Sequence, residues 1–243
     1  MKALWTTLAG AAAATLLAHS ATAAPVAFSQ GYATYSQPGF SPTAMFDGSD
    51  SYGWAIADSP GGTESQSALL VLATPLAAGS YDLTFVANQF FVCCNSAHTL
   101  GEFSFGYTTD AAPTLASMQT LVSYTGGSSL TGSTFTFSGG HVFASGGGTT
   151  DAYTINGTIN SAAAITGIFL NVHESANGYP TNGPGRAFNG NFVVTELTLD
   201  ATLVRGTGAV PEPATWAMMI LGFGAAGSAL RSRRRTVFNA TVG

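Results

Sequence analysis

The chain has 243 residues, 46% of them hydrophobic but only 8% charged, with a formal net charge of −5. Globular proteins carry about 25% charged residues and disordered chains pair low hydrophobicity with high charge, so this composition describes a folded, unusually uncharged chain and excludes a disordered one. Between residues 25 and 210, eleven acidic residues meet two arginines, Arg186 and Arg205, a net charge of −9 that repels phosphate and excludes nucleic acid as a partner.

In chain order, the first element is an export signal at residues 1–23. Lys2 supplies the positive start, residues 9–18 an apolar stretch too short to span a bilayer, and Ala21, Thr22 and Ala23 a small-x-small cleavage site. Residues 25–208 then read as one all-β domain. "ALLVLA" (68–73) is continuously apolar, as is "ITGIFLNV" (165–172), the pattern of strands inside a sandwich. "YDLTFVA" (81–87) and "GEFSFGYT" (101–108) alternate at period two, with Phe103, Phe105 and Tyr107 on one buried face. Residues 191–203 continue that alternation through Val193, Thr195, Leu197 and Leu199. The turns are expected at Pro60-Gly61-Gly62, Gly126-Gly127, Gly139-Gly140 and Gly146-Gly147-Gly148. About ten short strands joined by Gly-rich turns imply an antiparallel β-sandwich or jelly roll.

Few side chains in this domain suggest chemistry. No dinucleotide fingerprint, phosphate-binding loop, HExxH or nucleophile elbow occurs. Tyr52, Trp54 and Tyr179 lie beside Gly, Ser or Pro, where an aromatic face can stack on a sugar ring. Trp54 also reads as core, because Ile56 follows at the same strand parity, whereas Tyr179 sits in the polar loop "SANGYPTNGPGR". Arg186 in that loop can fork onto a carbonyl or a uronate, or can tie the loop down. Cys93 and Cys94 are the only cysteines. Neighbouring Cα atoms stand about 3.8 Å apart, less than the usual 4.4 Å or more across a disulfide, so a bridge between them would be strained and easily reduced. The alternative is a pair of free thiols packed as small apolar residues. His98, His141 and His173 stand apart in sequence at no metal-ligand spacing.

After the domain, residues 214–230 are uncharged and are followed by Arg231, Arg233, Arg234 and Arg235. Such a hydrophobic helix would sit in the inner membrane with its arginines on the cytoplasmic side. Pro211, Glu212 and Pro213, two spacers, then Trp216 and "AMM" resemble the PEP-CTERM sorting signal of PEPxxWAMM type at 209–235, with residues 236–243 as a short tail. The resemblance implies export in a Gram-negative bacterium that makes extracellular polysaccharide, transient anchoring in the inner membrane, and processing by an exosortase-type membrane protease.

Within the domain, "FDGSDSYGWAI" (46–56), "HTLGEFSFGYTTD" (98–110) and "GPGRAFNGNFVVTELTL" (183–199) resemble the galactose-binding-like jelly rolls of discoidin-type and carbohydrate-binding modules. Glu102 stands where those domains often carry Arg, so any contact made by that Arg is absent or reversed here. The resemblance also implies a structural calcium between the first loop and the last strand, at Asp47, Asp50 and Glu196, since calcium takes six to eight oxygens. Together these features lead us to expect a nonenzymatic surface or matrix protein that binds polysaccharide or another envelope component. The alternative is an extracellular glycan hydrolase, which needs two carboxylates facing one cleft about 5 to 9.5 Å apart.

Overall fold

The computed structural model describes residues 23–57, 64–94, 96–174, 183–204 and 217–226. Fourteen strands occur among them: β1 (Ala24–Pro25), β2 (Phe28–Ala33), β3 (Trp54–Ala55), β4 (Gln66–Leu76), β5 (Gly79–Gln89), β6 (Glu102–Thr108) and β7 (Thr120–Leu121). They continue as β8 (Ser123–Ser129), β9 (Ser133–Ser138), β10 (His141–Gly146), β11 (Asp151–Ser161), β12 (Ile165–Val172), β13 (Val193–Val194) and β14 (Glu196–Leu203). One sheet runs β1-β14-β5-β11-β8 and the other β2-β4-β12-β6-β10-β9, with β7 beside β6 and a separate β13-β3 pair. Every pairing is antiparallel. This is the all-β sandwich that the alternation implies.

Period two decides which side chains fill it. Tyr81, Leu83, Phe85 and Ala87 of β5 point inward with Phe103, Phe105 and Tyr107 of β6 and with Leu197 and Leu199 of β14. The rings of Phe85 and Phe105 stack at 4.0 Å and so join one sheet to the other. Each such buried side chain contributes roughly 1.5–3 kcal/mol relative to exposure. β12 is buried along its whole length. Its odd-looking apolar continuity has a cause: Ile168, Leu170 and Val172 face the core, while Phe169 pairs with Leu69 on the outer face. There the segment between β6 and β7 is held down by Asn171 donating to Gln119 and Thr166 donating to the Asp110 carbonyl.

Of two glycine pairs expected as turns, one forms a turn and the other does not. Gly139 and Gly140 form the β9–β10 hairpin turn with φ of 61° and 81°. Gly126 and Gly127, expected as a turn, lie inside β8, where the pairing with β11 slips between Asn156 and Gly157. A bulge, not a chain reversal, uses those glycines. The run from Val193 breaks at Thr195, whose N–H turns to the Asn88 carbonyl between β13 and β14. The Pro60-Gly61-Gly62 turn and the export signal through Thr22 lie outside the described residues.

The chain divides into two compact units, Met1–Val204 and Arg205–Gly243. In the second, residues 217–226 form an exposed helix. Among the described residues no helix is long and apolar enough to cross a membrane, so the membrane-spanning helix expected over 214–230 is not supported. Pro211, Glu212, Pro213, Trp216, Arg231, Arg233, Arg234 and Arg235 lie outside the described residues.

Candidate functional site

At one end of the sandwich, where β5 finishes and β6 and β14 begin, three irregular segments meet: 34–53, 90–101 and 183–195. Irregular backbone leaves N–H groups that must find partners, and here polar side chains supply them. Asn191 Oδ1 accepts the Ile56 N–H at 3.0 Å, and Gln89 Oε1 accepts that of Leu100. Thr195 Oγ1 accepts the Phe90 N–H and Ser96 Oγ that of Phe188. Two glycines permit the close approach. A Cβ on Gly53 would run into the Val194 carbonyl, and one on Gly185 into that of Asn191.

The three acids foreseen as calcium ligands share this end. Glu196 Oε2 accepts the Gly48 N–H at 3.2 Å, Asp47 Oδ1 accepts that of Ser49, and Asp50 Oδ1 accepts from Thr195 Oγ1 and Asn88 Nδ2. Burial raises the Glu196 carboxyl above its ordinary range; the Gly48 bond opposes the rise, and Asp47 and Asp50 add to it. Each carboxylate thus has one oxygen engaged, in Asp47 and Glu196 by the loop's own backbone and in Asp50 by the Thr195 and Asn88 side chains. Among the described residues no group of three His, Cys, Asp or Glu side chains is placed to hold a metal ion. As they stand the three acids fit a loop latch better than a cation cage.

What remains available at this end is aromatic. Phe40 packs edge-on against Tyr52 at 5.7 Å and Phe91 at 5.3 Å, and Phe91 against His98 at 5.6 Å. Tyr52 is 59% exposed, and Val92 and Phe188 nearby in sequence to these segments are 80% and 69% exposed. Cys93 and Cys94, joined as a disulfide, follow directly, with Cys94 at a left-handed φ of 60°. That conformation costs a side-chained residue about 1–2 kcal/mol. His98 is buried and bonded through Nδ1 to the Ser96 carbonyl; burial lowers its pKa and the Ser96 bond opposes this.

The other foreseen ligand residues turn inward. Trp54 is fully buried, its indole N–H donates to the Tyr35 carbonyl, and its ring meets Phe192 edge-on at 5.1 Å. Arg186 donates to Thr99 Oγ1 and Tyr153 Oη at 3.2 Å and to Ser133 Oγ, so it ties the loop to strand side chains. Tyr179 lies outside the described residues.

A second cluster escaped the sequence reading. On the outer face of the second sheet, Glu102 Oε1 meets His141 Nδ1 at 2.7 Å, and the His141 ring stacks on His173 at 4.0 Å. His173 Nε2 lies 2.9 Å from Ser104 Oγ, and Asn171 Nδ2 donates to Ser104 Oγ. Burial, then the neighbouring His141, lowers the His173 pKa to about 4, with Glu102 opposing. Glu102 therefore recruits an imidazole where an Arg would recruit an acid. The only advance signal was parity: Glu102 and Ser104 share the face opposite Phe103 and Phe105.

Residues 209–235 match the PEP-CTERM protein-sorting motif. The motif marks an exported, envelope-associated protein. Among curated proteins none matches the chain. Of solved structures, the chain is similar to the family 32 CBM of Clostridium perfringens NanJ in complex with galactose, at 11% identity and a TM-score of 0.40, covering 70% of this chain and 92% of that one. It is similar also to a truncated AlyQ with CBM32 and alginate lyase domains, at 16% identity and a TM-score of 0.43, covering 79% and 37%. A third is CBM32-3 from a family 31 glycoside hydrolase of Clostridium perfringens, at 17% identity and 0.37, covering 69% and 86%.

Proposed function

We propose that this is a nonenzymatic surface or matrix protein, delivered by an exosortase-type system, whose sandwich binds a neutral polysaccharide at the loop end. The carrying observation is the half-open ring cluster of Phe40, Tyr52 and Phe91, with Tyr52 59% exposed. A flat aromatic face complements the apolar CH face of a pyranose, and it does so without charge on a domain whose charge is −9 between residues 25 and 210. Of the acids at this end, Asp47 and Glu196 each accept a backbone N–H and Asp50 accepts from the Thr195 and Asn88 side chains, which supports binding over hydrolysis. The sorting motif supports this reading, because an exported, envelope-associated protein can meet extracellular polysaccharide.

The test is co-sedimentation of the full-length chain with neutral bacterial exopolysaccharides, with reducing ends assayed in the same tubes. Retention without new reducing ends, lost about tenfold in Tyr52→Ala, supports binding. Reducing ends released by the wild-type chain would make it a hydrolase.

Two further parts of this reading have their own measurements. A calcium ion at Asp47, Asp50 and Glu196 would bind beside the Gly48, Ser49 and Thr195 bonds through the second carboxylate oxygens; a melting temperature raised by calcium establishes it, and an unchanged one leaves the hydrogen-bonded latch. The Cys93–Cys94 bridge stiffens the segment after Phe91. Intact mass should rise by two hydrogens on reduction, with weaker polysaccharide retention.

A further inference from the structure

Away from the loop end, the outer face of β2, β4 and β12 dips into a cavity of about 210 Å³ lined by Thr34, Ser65, Gln66, Ser67, Asn171 and His173, with Val172 its apolar member. At roughly 30 Å³ per water it has room for one small ring and not for a chain. We propose that this cavity is a second binding site, for a single neutral, hydroxyl-rich sugar ring, with its own lining and no residue in common with the loop-end cluster.

Three observations carry the assignment. The floor is rigid, because Ser67 Oγ donates to Asn171 Oδ1 at 2.7 Å and Asn171 Nδ2 donates onward to Gln119 Oε1 at 2.9 Å. Polar groups at the wall keep unused capacity. Among the described residues, Gln66 accepts from Thr34 through Oε1 while its Nε2 has no partner, Ser65 Oγ accepts the Glu174 N–H while its own proton has none, and the His173 ring is hydrogen-bonded through Nε2 alone. Lastly, the lining holds no carboxylate, lysine or arginine. The lowered pKa of His173 keeps its ring uncharged at neutral pH.

Chemistry then narrows the occupant. An apolar ring would strand the Gln66 and Ser65 donors, which is costly once water is expelled. An anion would meet Glu174 directly after His173 and Glu102 at the far end of the imidazole stack. A cation finds no carboxylate in the lining to offset its charge. Hydroxyl groups both donate and accept, and they satisfy a carboxamide, a hydroxyl and either tautomer of the imidazole.

The test uses full-length chain with labelled histidine, its imidazole resonances followed during titration with glucose, galactose and mannose. One sugar should shift the His173 resonances to saturation with a dissociation constant on the order of millimolar, as a single ring allows. Gln66→Ala should weaken that titration roughly fivefold, the loss of one hydrogen bond, and Gln66→Glu should weaken it while keeping the side-chain volume. Tyr52→Ala should leave it unchanged, so failure here and failure of the loop-end reading are separate results. His173 resonances that ignore every sugar, that titrate in both Gln66 variants as they do in the wild-type chain, or that stop responding in Tyr52→Ala would each overturn the second site.

Discussion

The loop end and the outer face of the second sheet use the same residue types in opposite ways. At the loop end Asn191, Gln89, Thr195 and Glu196 each bond a backbone N–H. On the sheet face Asn171, Ser104, Ser67 and Glu102 bond other side chains. The cause is the backbone. Strands satisfy their N–H and C=O groups in the ladder and leave side chains free to form networks, whereas loops consume their side chains to satisfy the main chain. Hence the loop end offers rings to a ligand, and the sheet face offers polar groups.

The most damaging way to test this contrast is Gly53→Ala. Its new Cβ would meet the Val194 carbonyl, a backbone atom that cannot swing aside, and a loss of about 3–5 kcal/mol is expected in denaturant unfolding. A tolerated alanine would mean that the loops are not clamped as described. A finer comparison sets Asn191→Ala against Asn171→Ala. The first leaves the buried Ile56 N–H without its acceptor and should cost roughly 1–3 kcal/mol; the second frees side chains that can turn to one another and should cost less. Equal losses would erase the distinction between the two regions.

Acid should act on the sheet face. The folded pKa of His173, about 4, lies below the ordinary 6.5, so the unfolded chain takes up that proton first. Stability present above pH 6.5 is therefore lost as the pH falls towards 4, by about 1–2 kcal/mol once partial exposure is allowed for. His173→Gln should flatten that segment of the stability profile. The smallest effect belongs to the loop end, where Glu196 has a raised pKa: its ionised form is disfavoured in the folded chain, and stability declines as the pH rises through its folded pKa. Glu196→Gln, keeping an acceptor for Gly48, should raise neutral-pH stability by about a few tenths of a kcal/mol, a gain that calcium would reverse if it binds there.

The sandwich was legible because burial writes itself into alternation: β5, β6 and β14 read directly from Tyr81 to Ala87, Phe103 to Tyr107 and Leu197 to Leu199. β8 was missed since "SYTGGSS" has no apolar alternation and its glycines serve a bulge. Of the site, the meeting of Glu196 with the Asp47 loop is what the jelly-roll resemblance implies, and the bond to Gly48 fits it. The ring cluster could not be read, for Phe40, Tyr52 and Phe91 come from separate segments, and neither could the polar ladder, whose members look like solvated strand residues. Glu102 and His141, or Ser104 and His173, become partners only after β10 and β12 dock on β6. Trp54 misled as a ligand candidate because a tryptophan beside glycine looks alike whether it caps a loop or plugs a core.

The central claim is that the rings at the loop end receive the polysaccharide. A crystal structure of the full-length chain with a short oligosaccharide cut from a bound exopolysaccharide tests it most directly. The account predicts a pyranose ring lying against the Tyr52 face beside Phe40 and Phe91, with the Asp47, Asp50 and Glu196 side chains unmoved. An oligosaccharide seated elsewhere, with those three rings uncovered, would contradict it.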